Sequence, residues 1–229
     1  MSAKEITAKI GEMVPLTDTI LQLTLIPEQF IDYQPGQYLQ IFWQDQALSY
    51  SIANAPLGTH KYELHIRHSR DNTVTKTMLE TLARQGEVQL RLPMGNCCLT
   101  AFPDHKPLSF LAAGTGFAPV KAMIEQLLFQ GDQRPCRLFW GARALNDLYM
   151  DDKVKQWQAH VAQFEYYSLI ATGGQPTLVD LLLGQAFADL DRQTLVLSGP
   201  FDWVYQMRDT LVAAGVDVSH LHSDAFSFE

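Results

Sequence analysis

The sequence predicts an N-terminal antiparallel β-barrel followed by an α/β domain with a parallel sheet. Up to about residue 102, apolar and polar residues alternate over short segments, which is the period of a half-buried strand. Beyond that point, continuous apolar runs alternate with helical segments, which is typical of a parallel α/β sheet. A proline-containing stretch at 103–107 separates the two patterns, so we predict domains at residues 1–103 and 104–229.

The first half is predicted to contain short strands and one helix. The alternating segments lie at 5–9, 20–25, 38–43, 62–67 and 88–92. A helix is predicted at 74–84, because Met78, Leu79 and Leu82 form one apolar face. Turn residues separate these elements at Pro27, Pro35-Gly36, Pro56-Leu57-Gly58, Arg70-Asp71-Asn72 and Gly86. Several short strands with one helix favour a small barrel.

The second half is predicted to alternate strands with helices. Strands are expected at 108–113, 137–140, 166–170 and 194–197, and helices near 118–130, 151–162, 177–184 and 202–214. The first strand runs into Gly114-Thr115-Gly116-Phe117-Ala118-Pro119, a glycine turn followed by a proline that suits the first turn of a helix. Such a helix N-terminus offers unpaired amides to a phosphate. Because Pro119 replaces the third glycine of the dinucleotide fingerprint, the loop alone fits nucleotide binding or a structural turn.

Composition excludes several classes of partner. The net charge of −8 argues against a nucleic-acid partner, and there is no cluster of lysine or arginine for an anionic membrane surface. The N-terminus lacks the apolar core of a signal peptide, and no apolar run is long enough to span a bilayer. Cys97, Cys98 and Cys136 form neither a disulfide framework nor a metal-binding spacing. We therefore expect a cytoplasmic protein with no metal site.

Six segments resemble motifs of the ferredoxin-reductase superfamily, and in particular of its bacterial NAD(P)H–flavin oxidoreductases. They are Pro35-Gly36-Gln37-Tyr38, Leu48-Ser49-Tyr50-Ser51-Ile52, the loop at 114–119, Phe139-Trp140-Gly141-Ala142-Arg143, Ser198-Gly199-Pro200, and Ser223-Asp224-Ala225-Phe226-Ser227-Phe228. The last resembles the closing strand of those enzymes. The resemblance covers nearly the whole chain in consistent order, and it implies a flavin-binding barrel before an NAD(P)-binding domain.

The resemblance assigns flavin contacts to the first half. It implies that the Ser51 hydroxyl hydrogen-bonds flavin N5, that Tyr50 packs near the ring or the ribityl chain, and that Ile52 and Ala53 supply backbone contacts. His65 and Arg67 share one face of a strand that contacts flavin in relatives. That face can meet flavin oxygens or solvent.

Leu48 departs from the family pattern, which places an arginine there to face the flavin phosphate or the ribityl chain. Leucine cannot pair with a phosphate. The chain therefore favours riboflavin, or uses another cation such as Arg67 or Lys76, or has lost flavin binding.

The resemblance assigns nicotinamide-nucleotide contacts to the second half. The residues are Gly114, Thr115, Gly116, Phe117, Pro119, Gly199 and Pro200, with Asp224 and Phe226 near the nicotinamide. No acidic residue ends the second strand of this half, where an acid would favour NADH. Arg143 lies there and can contact a 2′-phosphate or solvent, so NADH and NADPH both remain open.

These residues imply hydride transfer from nicotinamide C4 to flavin N5. The leading hypothesis is an enzyme that reduces riboflavin, FMN or FAD as a loosely bound substrate, with a flavin-dependent oxygenase as a conceivable user of the product. The second is an electron-transfer component with tightly held FAD that serves an oxygenase or another protein. The third is a non-catalytic nucleotide-binding regulatory domain.

Overall fold

The computed structural model describes residues 2–68, 73–171, 178–186, 190 and 192–228. The chain divides into two compact units, Met1–Leu99 with Ala118–Gln130, and Thr100–Phe117 with Gly131–Glu229. The predicted boundary between residues 103 and 104 stays a prediction. The predicted turn at Arg70-Asp71-Asn72 lies outside the described residues.

The first unit is built on one antiparallel sheet. Its strands are β1 (Lys4–Pro15), β2 (Ile20–Pro27), β3 (Tyr38–Trp43), β4 (Gln46–Ser51), β5 (Tyr62–Arg67) and β6 (Glu87–Met94). The order is β4-β3-β6-β1-β2-β5, and each neighbouring pair is antiparallel. The Ala53 amide donates a 2.7 Å hydrogen bond to the Glu63 carbonyl, so the segment after β4 meets β5 at the opposite edge. This contact curls the sheet toward the predicted barrel.

Alternating strand residues fill the core of this unit. Leu39 and Ile41 of β3 and Leu64 and Ile66 of β5 are fully buried, as the period of two predicts. Helix α1 (Thr73–Gln85) buries the three apolar residues predicted for its inner face, Met78, Leu79 and Leu82. Strand β1 is longer than predicted, because a register shift between Ile10 and Met13 interrupts its alternation.

The second unit is built on a parallel sheet. Its strands are β7 (Leu108–Ala113), β8 (Cys136–Ala142), β9 (Phe164–Ile170), β10 (Thr194–Ser198) and β11 (Leu221–His222), in the order β11-β10-β7-β8-β9. The helices along this part of the chain are α2 (Phe117–Gln130), α3 (Asp151–His160), α4 (Leu178–Ala186) and α5 (Phe201–Ala213). All neighbouring strands are parallel. The predicted fold class is confirmed, and none of the helices in the described residues is long and apolar enough to cross a membrane.

The C-terminus differs from the expected closing strand. The strand β11 is only two residues long, and Asp224–Phe228 forms a 3₁₀ helix. Local hydrogen bonds replace a strand ladder here: the Ala225 amide donates to the Ser223 hydroxyl oxygen at 3.2 Å, and the Ala225 carbonyl accepts from the Tyr205 hydroxyl at 2.7 Å. Side-chain partners of this kind compete with regular sheet pairing.

Candidate functional site

The parallel sheet changes its direction of growth between β7 and β10. The chain adds β8 and then β9 on one side of β7, and returns to place β10 on the other side. In open α/β sheets, ligands bind beyond the carboxyl ends of the strands at such a switch point. The Gly114–Gly116 loop follows β7 directly, and Gly199-Pro200 follows β10. Two of the predicted nucleotide segments therefore meet where this fold binds ligands.

These two loops pack backbone against backbone. Gly114 has φ +54°, a left-handed conformation that favours glycine. A methyl group on Gly116 would lie 2.7 Å from the Gly199 amide nitrogen and nearer still to the Ser198 carbonyl. A methyl group on Gly199 would lie 2.9 Å from the Ala113 Cβ. The glycines are thus required for the loops to lie this close together.

Trp140 supports the glycine loop from inside the unit. Its side chain is fully buried in β8, and its indole Nε1–H donates a 3.0 Å hydrogen bond to the Gly114 carbonyl. The ring stacks on Phe117 with centroids 4.0 Å apart. Sequence reasoning assigned Trp140 no contact with this loop, although a buried tryptophan needs a partner for its N–H and a glycine loop is rich in carbonyls.

The other predicted nucleotide residues differ in exposure. Arg143 and Pro200 are exposed beyond β8 and β10, and Thr115 is half-buried. Phe117 is fully buried, and Pro119 is buried in the first turn of α2. Thr115, Arg143 and Pro200 therefore have solvent-accessible surface, whereas the Phe117 ring holds the loop in place.

Of the two C-terminal residues predicted near the nicotinamide, Phe226 packs on α5. The Phe226 ring lies 6.2 Å from the Tyr205 ring between centroids, and the Arg208 guanidinium carbon lies 5.7 Å from the Phe226 centroid. Asp224 is half-buried, and the side chain of Phe228 lies outside the description. The roles of Asp224 and Phe226 at the nicotinamide stay predictions.

Two of the flavin-type motifs lie side by side in the first unit. Tyr38 pairs with Ser51 across β3 and β4, and the Ile52 amide donates to the Gln37 carbonyl at 3.0 Å. Ser51 is half-buried, whereas Ile52 and the following Ala53 are fully buried. In the described part of the chain, no hydrogen bond engages the Ser51 hydroxyl, which can therefore serve a ligand.

Tyr50 and Leu48 occupy the same face of β4 and both pack against the barrel core. The Tyr50 hydroxyl lies 3.9 Å from the Met78 sulfur of α1. Burial raises the Tyr50 pKa, so the phenol is neutral at physiological pH. Leu48 offers no charge on this face, and the two cations considered as substitutes, Arg67 and Lys76, are exposed.

On β5, His65 is buried and its Nε2 lies 2.8 Å from Glu63 Oε1. Burial lowers the His65 pKa, so the neutral imidazole donates this hydrogen bond. Burial opposes ionisation of Glu63, but the His65 hydrogen bond and the Lys121 charge outweigh it and lower the Glu63 pKa to about 2. His65 therefore belongs to an ionic cluster with Glu63 and with Lys121 of α2. The sequence left two surroundings open for His65, flavin oxygens and solvent, and this cluster is a third.

Comparison with known proteins places this chain in a family. Residues 110–202 match the oxidoreductase NAD-binding domain model. The chain is 30% identical over 233 residues to reductase component 2 of terephthalate 1,2-dioxygenase from a Comamonas species, which covers 98% of this chain and 69% of that protein. The chain belongs to the ferredoxin-reductase superfamily. This confirms the predicted resemblance and the class of oxidoreductases.

Other relatives of this ferredoxin-reductase superfamily member differ in length. It is 31% identical over 222 residues to a CDP-6-deoxy-L-threo-D-glycero-4-hexulose-3-dehydrase reductase from Yersinia pestis, and spans 65% of that protein. It is 24% identical over 230 residues to a probable flavin reductase from Photobacterium leiognathi, and the match covers 96% of this chain and 97% of that one.

Solved structures support the fold of the superfamily. The Amycolatopsis cytochrome P450 reductase GcoB superposes with a TM-score of 0.85 at 18% identity, over 97% of this chain and 69% of that one. A ferredoxin NADP⁺ reductase from Neisseria gonorrhoeae, with bound FAD and NADP, gives 0.78 at 16% identity over 96% and 98%.

The residues of this superfamily member fit a nicotinamide nucleotide and a flavin ring. The glycine loop lies at a switch point with Thr115 only half-buried, and the Ser51 hydroxyl is available beside Tyr50. A flavin phosphate finds no charge at Leu48. Among the described residues, no group of three or more His, Cys, Asp or Glu side chains is arranged to hold a metal ion.

Proposed function

We propose that this chain catalyses the reduction of a free flavin by NADH or NADPH. When bound, the nicotinamide would supply a hydride from C4 to flavin N5, and solvent would supply the separate proton that completes reduction of the ring. The observation that carries the choice of a free flavin is Leu48. It packs into the barrel core at the position where relatives place an arginine for the flavin phosphate or the ribityl chain.

The chain's own residues bind and orient the two ligands. The Ser51 hydroxyl can donate or accept, which suits a flavin nitrogen whose protonation changes. Tyr50 supplies a neutral aromatic ring held against α1. The Gly114–Gly116 loop and Gly199 form the nucleotide cradle, and Trp140 fixes the Gly114 carbonyl. Proximity and orientation then account for much of the rate, and the hydride step needs no acid–base pair.

The full-length likeness to flavin reductases supports this proposal. The match to the NAD(P)H-flavin reductase of Vibrio harveyi, at 24% identity, covers 97% of this chain and 99% of that one. Cys97, Cys98 and Cys136 are thiols and not disulfides, which suits a reducing compartment and supports a cytoplasmic location.

A second candidate is an electron-transfer component with resident FAD that serves an oxygenase. The 30% identity to the terephthalate dioxygenase reductase favours it. Under this reading, Arg67 or Lys76 would have to supply the phosphate contact that Leu48 cannot make.

The spectrum of the purified protein, followed by a three-flavin assay, tests these alternatives. We expect little flavin after gel filtration, and NADH or NADPH oxidation when riboflavin, FMN or FAD is added. Stoichiometric yellow flavin that survives gel filtration would instead support the electron-transfer candidate. No oxidation of either nicotinamide with any flavin, and none with a partner oxygenase, would leave a regulatory nucleotide-binding domain. Running both nicotinamides side by side also shows whether NADH or NADPH is preferred, and repeating the comparison with Arg143→Ala tests whether Arg143 selects NADPH.

A further inference from the structure

Lys121 is a lysine buried inside the first unit. Its side chain is 3% exposed, and it lies on α2 between the buried residues Val120 and Ala122. The ammonium lies 3.1 Å from Glu63 Oε1 and 3.1 Å from Glu125 Oε1, and donates a 3.0 Å hydrogen bond to the Ala53 carbonyl. These acceptors satisfy all three of its N–H groups.

Burying an ammonium group costs free energy of desolvation. Removing a charge from water is unfavourable even when it is paired, and an apolar side chain of similar size is often at least as stable. Packing therefore gives no reason for a lysine on this buried face of α2. What the ammonium provides, and an apolar chain cannot, is a directed bond to one backbone carbonyl.

That carbonyl belongs to the segment that carries the flavin-type motif. Within the segment, the Ile52 amide donates a hydrogen bond to the Gln37 carbonyl, and the Ala53 amide donates one to the Glu63 carbonyl. The Asn54 side chain donates to the Lys61 carbonyl at 3.0 Å and accepts from the Glu63 amide at 2.8 Å. The hydrogen bond from the Lys121 ammonium to the Ala53 carbonyl links this segment to α2, the helix that follows the Gly114–Gly116 loop.

We propose that Lys121 is a positioning residue of the flavin site, which fixes the segment 50–53 through the Ala53 carbonyl. Ser51 precedes Ala53 by two residues, so a shift of that carbonyl moves the hydroxyl offered to the flavin. Glu63 and Glu125 hold the ammonium in place, and His65 holds Glu63. This inference rests on the proposed function, because it assigns the flavin to this segment.

The test compares Lys121→Met with the control Lys155→Met. Lys155 is also a helical lysine paired with an acid four residues away, Asp151, but it is 62% exposed and lies far along the chain from the flavin motif. Near-ultraviolet circular dichroism of added riboflavin, and quenching of its fluorescence, report ring orientation and affinity without turnover. For Lys121→Met we expect a changed dichroism of the bound ring, a kcat about 10-fold lower, and a KM for NADH within twofold of the parent. Lys155→Met is expected to match the parent in all three.

A second variant keeps the test decisive if Lys121→Met does not fold. Lys121→Arg keeps the positive charge but has a longer, planar head, so we expect it to fold and still show altered riboflavin dichroism and reduced kcat. Full kcat and unchanged dichroism in folded Lys121→Met, or in Lys121→Arg if the first does not fold, would overturn the positioning role. If the parent binds riboflavin but oxidises neither nicotinamide with riboflavin, FMN or FAD, the proposed function fails and the dichroism still decides the role of Lys121. If the parent binds none of riboflavin, FMN and FAD, both proposals are overturned.

Discussion

Replacing Gly116 by alanine tests whether the two glycine loops form the nucleotide cradle. The added methyl carbon would lie 2.7 Å from the Gly199 amide nitrogen, whereas ordinary contact begins near 3.4 Å, and the Ser198 carbonyl is closer still. Both neighbours are backbone atoms, so no side-chain rotation relieves the clash. The loop or the facing peptide must therefore move by at least ~0.7 Å.

A displacement of that size is large for a hydride donor that must be aligned with its acceptor. A misplacement of about 1 Å can lower a rate by roughly 100-fold, so we expect Gly116→Ala to lower kcat/KM for NADH by about that factor. This corresponds to ~2.7 kcal/mol of lost transition-state stabilisation. Overpacking also lowers the free energy of unfolding by about 1–3 kcal/mol.

Steady-state kinetics at varied NADH, with riboflavin saturating, measures the effect. Riboflavin binding by fluorescence quenching should stay within twofold, because the change lies in the nucleotide loop. The matched control is Gly184→Ala in α4, where an added methyl group meets no atom within 4 Å. That control should keep full activity and gain up to ~1 kcal/mol from better helix propensity. A Gly116→Ala protein with parental kcat/KM for NADH would refute the cradle.

Three further substitutions test the barrel unit. Ser51→Ala should lower kcat by roughly 10-fold or more while the Kd for NADH changes little; equal turnover in variant and parent would remove Ser51 from the mechanism. Leu48→Arg should raise the FMN-to-riboflavin ratio of kcat/KM by about 10-fold, and an unchanged ratio would contradict the phosphate assignment. The cluster lowers the pKa of Glu63 from 4.5 to about 2. Ionised Glu63 therefore adds about 3 kcal/mol to the free energy of unfolding above pH 5, and this contribution is lost as the pH falls toward 2. Urea unfolding should therefore show Glu63→Gln less stable than the parent at pH 7, with the difference shrinking below pH 5; a constant difference would count against the ionised cluster.

The strands with clean periodicity could be predicted from the sequence. The bounds of β3, β5 and β7 agree with the structure, β3 and β5 because every second residue is apolar, and β7 because it is one nearly continuous apolar run between clear boundaries. Strand β1 could not be delimited, since its bulge breaks the period. The C-terminal 3₁₀ helix could not be predicted either, because it depends on the hydroxyl of Tyr205, which lies 20 residues away in the sequence.

The candidate site was predictable where local sequence determines geometry. The turn after β7 needs glycine at Gly114 for its backbone, and this requirement is visible in the sequence. Lys121 was not predictable, because a lysine four residues before Glu125 ordinarily indicates an exposed pair on a helix surface. Strand β5, more than 50 residues earlier in the sequence, supplies Glu63 and makes the pair a buried cluster.

The two candidate functions make different demands on position 48. A resident FAD held at nanomolar Kd requires ~12 kcal/mol of binding free energy, and a flavin substrate at micromolar Kd about 8. The difference of ~4 kcal/mol is close to what one or two charge-assisted hydrogen bonds to a phosphate contribute, at about 1.5–3 kcal/mol each. Leu48 withholds one such bond at its strand, whereas the glycine loops of the second unit serve a nicotinamide equally in both candidates. The nucleotide cradle therefore does not distinguish a flavin reductase from an electron-transfer component, and the charge that faces the flavin phosphate does.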